Sequence, residues 1–247
     1  MAKQSGLGDN FYVSGFNLSG DTASLNEIGG GPALIDVTGI DKSAFERIGG
    51  LRDGRIEWTS HFNDATDKQH LALRSLPTTD RQLMYFRGTT LGNPVAALVG
   101  KQLNYDFTRA DDGKLTAAVR AEANGFGIEW GQSLTAGVRT DTTATNGTSI
   151  DTTASLSFGA QAYLQVFTPL TGTNVIVTIE DSADNVTFAA VAGLAFTSVT
   201  AAPAEERLAT SNTATIRRYI RAVTTGTFTS ASFAVCIVKN EIAGQVF

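Results

Sequence analysis

From Arg55 onward, apolar and polar positions alternate strictly. Ile56, Trp58, Ser60 and Phe62 fall on one side, and Arg55, Glu57, Thr59 and His61 on the other. Successive side chains of a strand point to opposite faces, so this pattern predicts a half-buried β-strand. The polar stretch before it predicts a loop from Thr38 to Asp53, with a break at Gly49-Gly50 and a turn at Asp53-Gly54. Loops of that length are usually functional or ordered by a partner. Upstream, Phe11-Tyr12-Val13 and Ala33–Val37 read as short strands, and the Gly-rich Asn17–Pro32 as irregular chain. Gly29-Gly30-Gly31-Pro32 lacks the lysine and following helix of a phosphate loop.

Downstream, Asp64 is placed to cap a short helix running to Leu76, with Leu73 and Leu76 as anchors and Pro77 as its stop. Leu83–Phe86 begins another strand. Leu103, Tyr105 and Phe107 alternate with polar residues, Asp112-Gly113 signals a hairpin, and the return strand sets Leu115, Ala117, Val119, Ala121 and Ala123 on one face. Trp58 and Trp130 both sit at period-two positions and are expected in the core. Between Thr135 and Thr153 the chain becomes Thr-, Gly- and Asp-rich, which predicts a linker over 136–152 between a domain at 1–135 and another at 153–247. The second domain carries short apolar or β-branched runs at 154–158, 162–167, 175–179, 188–191, 195–199, 216–223 and 233–238. Seven such runs with turn residues between them predict a β-sandwich.

Charge and chemistry narrow the functional classes. The formal net charge is −5, shared as 13 basic against 16 acidic residues through position 138 and 6 against 8 beyond. Neither half offers the clustered cations of a general nucleic-acid surface. A single cysteine, Cys236, excludes an internal disulfide, and its apolar surroundings predict a small buried hydrophobe. The opening MAKQSGLGDNF has no apolar stretch of signal-peptide length, which gives the expectation of synthesis in a cytoplasm. The two histidines, His61 and His70, have no nucleophile or second ligand at a useful spacing, and no hydrolase or zinc motif is present. The reading is therefore not an enzyme, with no cofactor and no metal. Asp111-Asp112, and Asp181 with Asp184, fall in predicted turns where Asp bonds its own backbone. A calcium ion at the second of these is the alternative.

Two resemblances give this scaffold a direction. Gly50-Leu51-Arg52-Asp53-Gly54, followed by an alternating strand ending in Phe62-Asn63, resembles the tail-tube (major tail) proteins of long-tailed bacteriophages. In that family a helix, a strand and a closing strand pair follow, roles open to Asp64–Leu76, Arg81–Arg87 and Leu103–Trp130. The resemblance implies a β-sandwich with a flanking helix, six copies of which join edge to edge into rings. Rings stack into a tube through which phage DNA passes without specific binding. It implies a virion protein whose partners are itself and other tail proteins, with Thr38–Asp53 and the arm Met1–Asp9 as ring-to-ring contacts. A net negative charge suits a lumen that must not hold DNA.

The second resemblance lies in the C-terminal half. A strand at Val177–Ile179, the turn Ser182–Asn185, Thr187-Phe188 and a downstream Tyr219-Ile220-Arg221 resemble galactose-binding-like (discoidin-type) jelly rolls. An Ig-like sandwich is the other architecture open to this half. The resemblance implies an appended decoration and, as an alternative function, a carbohydrate-binding adhesin in which Arg218, Tyr219 and Arg221 contact host-surface glycans. Arg217, Arg218 and Arg221 form the one basic cluster, and a solvated face or intersubunit ion pairs is its plainer reading.

Overall fold

The computed structural model describes residues 5–243, so Met1–Gln4 of the expected N-terminal arm lie outside the described residues. The chain is mainly β with one short helix, as expected. Strands β1 (Asn10–Val13) and β2 (Phe16–Asn17) form a small hairpin. They are followed by β3 (Thr22–Asp36), β4 (Arg47–His61), α1 (Gln69–Leu73), β5 (Arg81–Phe86), β6 (Pro94–Gln102), β7 (Asp106–Arg109), β8 (Leu115–Ala123) and β9 (Glu129–Ser133). All pairings are antiparallel, in the order β3-β4-β8 on one side and β9-β6-β5-β1 on the other, with β6 also reaching β8 at Gly100–Gln102.

The alternation holds from Ile56 to Ser60, while Phe62, expected on the same buried face, lies just past the strand and is exposed. Ile56, Trp58 and Ser60 are buried, and Trp58 meets Phe11 edge to face at 5.0 Å between ring centres. Ala117, Val119 and Ala121 of β8 close the same core. The loop expected at Thr38–Asp53 is instead only residues 37–46. Residues 47–53 continue β4, and β3 runs alongside them, pairing Ile35 with Ile48 and Gly31 with Asp53. The expected Asp53-Gly54 turn lies inside a strand. At Gly54 a Cβ would sit 2.5 Å from the backbone nitrogen of Ile128, so glycine here permits close packing of two chain segments.

The helix is shorter than expected and differently capped. It spans five residues, Lys68 occupies its N-cap without a side-chain bond, and Leu76 lies beyond it and exposed. The Gln69 N–H donates instead to Asp21 Oδ2 at 3.2 Å, a cap brought from 48 residues away. Trp130 is also a correction: it is half exposed, and its neighbour Glu129 is the residue that turns inward.

In the C-terminal half, the seven short runs become fewer, longer elements. Strands β10 (Arg139–Asp141), β11 (Thr145–Asn146) and β12 (Ile150–Asp151) precede β13 (Ala160–Ser182), β14 (Ala189–Ala195), β15 (Ala204–Ala209) and β16 (Tyr219–Lys239). β13 and β16 pair along nearly their whole lengths, and their register shifts between Phe167 and Asn174. The stretch read as a linker, 136–152, lays β10, β11 and β12 along the other edge of β16.

The two halves share a core. On β5 and β6, Leu83, Ala96 and Leu98 face the N-terminal cluster, while Met84, Phe86, Val95 and Ala97 face a second cluster with Tyr163, Phe167, Ala234, Cys236 and Val238. Alternate residues of β16 (Phe233, Val235 and Ile237) face a third cluster inside the C-terminal half. The continuous apolar runs Leu83–Phe86, Val95–Leu98 and Phe233–Val238 thus belong to strands buried on both faces. Cys236 is fully buried, and burial pushes its thiol well above the usual range. A direct ladder also crosses the seam, pairing Cys236 with Ser133 and Ile237 with Gln132.

Candidate assembly surface

β3 and β4 begin as part of the body and end as an arm. Between Gly54 and His61 every second residue of β4 is buried, whereas from Pro32 to Asp53 no residue of the hairpin is. At roughly 3.3 Å per residue the free part of the ladder projects about 20 Å before the turn. The turn is tied within itself. Thr38 N–H and Oγ1 both donate to Asp36 Oδ1 (2.9 and 2.5 Å), Glu46 N–H donates to Thr38 Oγ1 (2.9 Å), and Lys42 pairs with Glu46 at 3.3 Å. The Arg47 guanidinium lies 4.6 Å from the centre of the Phe45 ring.

Seven large apolar side chains on this arm face solvent: Leu34, Ile35, Val37, Ile40, Phe45, Ile48 and Leu51, with Ile40 fully exposed and Leu51 at 87%. Directly paired residues share a face of a ladder, so Ile35 and Ile48 occupy one face and Leu34, across from Gly49, the other; Leu51 lies where the register slips, between the Pro32–Arg52 and Leu34–Gly49 pairs. A ribbon resting on a surface needs one apolar face. One that is apolar on both is suited to a slot.

Towards the base, the outward face of β3-β4-β8 turns polar. Arg55 pairs with Glu27 at 2.7 Å, Arg120 lies 3.3 Å from Glu57, and Arg120 also pairs with Glu122. At the far end of β4 lies a second exposed apolar group. Phe62 lies 5.0 Å from His70 and 5.8 Å from Phe107 between ring centres, Tyr105 stacks edge to face on Phe107 at 4.6 Å, and Tyr105 Oη lies 3.2 Å from His70 Nδ1.

The residues expected to contact glycans are not gathered around one cavity. Arg218 donates from Nε and Nη2 to Asp151 of β12 at 2.7 and 2.6 Å, and its guanidinium lies 5.0 Å from the Tyr219 ring. Arg221 turns to the opposite neighbour of β16, donating to Glu180 of β13 at 2.9 and 2.7 Å and lying 4.0 Å over Phe188. Arg217 binds Asp181 through its backbone N–H and Nε at 2.7 and 2.6 Å. The basic cluster is therefore three separate ion pairs. At the neighbouring turn, Asp184 accepts from the N–H groups of Val186 and Thr187 and from Ser182 Oγ, at 2.9, 2.8 and 2.7 Å.

These bonds have a pH signature. The N–H groups of Thr187 and Val186 hold the Asp184 carboxyl well below the usual carboxylate range, and the Arg218 fork holds Asp151 at about 2. A carboxyl depressed on folding contributes stability that is complete above its unfolded value, about 3.9, and is lost as pH falls toward the folded value. The melting temperature is therefore expected to drop between pH 4 and pH 2, and Asp184→Asn to flatten that drop. Scanning calorimetry across this window checks it, and an unchanged slope in the variant would refute the assignment.

No family model matches the chain, and no curated protein matches it. Among solved structures it is similar to a chain in the virion of a native gene transfer agent particle, with a TM-score of 0.42 and 14% identity, over 52% of this chain and 98% of that one. It is similar over more of its length to the Dit protein of phage SPP1, described as a paradigm of the hub adsorption apparatus in phages infecting Gram-positive hosts (TM-score 0.34, 10% identity, 94% of this chain and 99% of that one). A chain of the phage p2 baseplate in its activated conformation gives 0.36 and 8%, over 95% and 99%. These neighbours are components of phage or phage-like virions, tails and baseplates. Likeness at this level leaves the function to be argued from the chain's own geometry.

Proposed function

We propose that this chain is a structural protein of a phage tail that assembles with copies of itself into rings, and that six-fold rings stack into the tube through which DNA leaves. The observation that carries this reading is the β3–β4 arm, a hydrogen-bonded ribbon with apolar residues on both faces that no other described residue buries. In a monomer such a ribbon is an aggregation hazard, and in a closed ring or stack it is an interface. The residues of the family resemblance, Gly50–Gly54, lie where this arm leaves the body. The charged outward face of β3-β4-β8, with Glu27, Glu57 and Glu122 against Arg55 and Arg120, is the surface we assign to the lumen.

A second reading, a ring at the end of the tube that carries other tail proteins, draws support from the seam between the halves. A C-terminal half joined through a shared core and a continuous ladder is a rigid platform rather than a tethered appendage.

Negative-stain electron microscopy of the purified, untagged protein at high concentration tests both. Long hollow tubes of uniform width are the expected result, and discrete rings that never stack select the second reading. Compact monodisperse particles would overturn both and turn attention to the glycan alternative. A sugar-array screen of the full chain against Arg218→Ala and Arg221→Ala variants would then follow.

A further inference from the structure

Among the described residues, two groups of exposed apolar side chains sit at opposite ends of one strand. Arg47 opens β4 at the arm, where Phe45, Ile40 and Val37 of the turn and Ile35, Ile48, Leu34 and Leu51 of the ladder are uncovered. His61 closes β4 at the body, and Phe62 follows it into the aromatic group with His70, Tyr105 and Phe107. Fifteen residues of strand set the two about 50 Å apart. A heterologous contact needs two different surfaces on one chain, and if they face opposite ways it propagates.

Resting on the assembly reading above, we propose that the arm tip of one copy docks on the Phe62–His70–Phe107 patch of the next copy, head to tail along the direction of β4. Size supports a copy of this chain as the occupant. The seven arm residues, 46–109% exposed, amount to about five fully open large side chains; at roughly 150–200 Å² each they offer on the order of 700–1,000 Å², enough on the arm's side for the ~800 Å² per partner of a standard stable interface. Chemistry supports it too. Phe62 and Phe107 are 39% and 44% exposed, and Leu71, next to His70 in the chain, and Leu103, two residues before Tyr105, are also open, so the patch presents aromatic and aliphatic surface to an aliphatic arm. The packing of Phe62, Tyr105, Phe107 and His70 on one another fixes the patch before any partner arrives, which lowers the ordering cost of docking.

Cysteine pairing tests the contact. Phe45→Cys and Phe107→Cys both replace exposed residues, so the body core is untouched, and circular dichroism confirms each fold. Cys236 is buried and stays out of the reaction. With a short bis-maleimide, the double variant is expected to give a covalent ladder beyond the dimer on denaturing gels. Mixing the two single variants should give a dimer linked from position 45 to 107 by mass spectrometry, several-fold above either variant alone. If Phe45→Cys alone dimerises as well as the mixture does, the arm packs on another arm and the proposal fails. Rings or tubes in the microscope without a 45–107 link also overturn it, while leaving the assembly reading intact. No oligomer of any kind, even for the parent chain, would overturn both.

Discussion

Replacing Glu129 by alanine is expected to lower the free energy of unfolding by about 3–5 kcal/mol, the cost of stranding a buried charge. Glu129 is 1% exposed and accepts from two groups of the C-terminal half. Arg207 Nη2 donates to Oε1 at 2.8 Å and Tyr163 Oη donates to Oε2, while Arg207 Nε reaches Tyr163 Oη at 3.0 Å. The guanidinium is pinned over the Phe126 ring at 3.8 Å, so it has little freedom to swing out to water. Without the carboxylate, a cation and a phenol are left buried at the seam. Denaturant titration measures the loss. The variant Glu129→Met with Arg207→Met is expected to recover most of it, because two apolar side chains leave no orphaned charge. If the double variant is as unstable as Glu129→Ala, the attraction within the pair, and not the stranded charge, is what stabilises the seam.

Removing the arm should have the opposite profile, with no effect on folding and complete loss of assembly. Substituting Asn-Gly for residues 33–51 joins Pro32 to Arg52, which are already paired, through a turn suited to a two-residue hairpin. The deleted segment contains no buried residue, and the side-chain bonds of Asp36, Thr38, Lys42 and Glu46 stay within it. The melting temperature is expected to stay within about 2–4 °C of the parent, the shift that ~1 kcal/mol produces in a chain of this size. Sedimentation velocity should show a monomer at concentrations where the parent forms rings or tubes. Assembly that survives the deletion would move the interface elsewhere and remove the main support for a tail role.

The arm shows where sequence reading stops. From Arg55 to Phe62 one face is buried, and burial writes itself into the chain as alternation. From Gly29 to Asp53 nothing is buried, so the ladder is held by backbone bonds that leave no trace in the side-chain pattern, and Gly49-Gly50 reads as a break. What the sequence does show there is the set of isolated apolar residues, Leu34 to Leu51, which no other described residue buries. β13 and β16 were obscured differently. Pro169, Gly172 and Gly226 lie where the register shifts or the ladder pinches, and punctuation that ends ordinary strands here only bends long ones. The glycan candidates failed to converge because each arginine found an acid 41 or 67 residues away, a pairing invisible to local spacing.

The two-sided burial of β5 and β6 also orders events in time. Met84, Phe86, Val95 and Ala97 are covered by Ala234, Cys236 and Val238, which belong to the last strand of the chain. During synthesis the N-terminal half therefore waits, one face uncovered, for about 140 further residues to emerge, a delay set by non-local pairing. Until then the body that presents the arm is incomplete. In the assembly proposed above this order would act as a checkpoint: a nascent or truncated chain lacks the finished platform until β16 has been made.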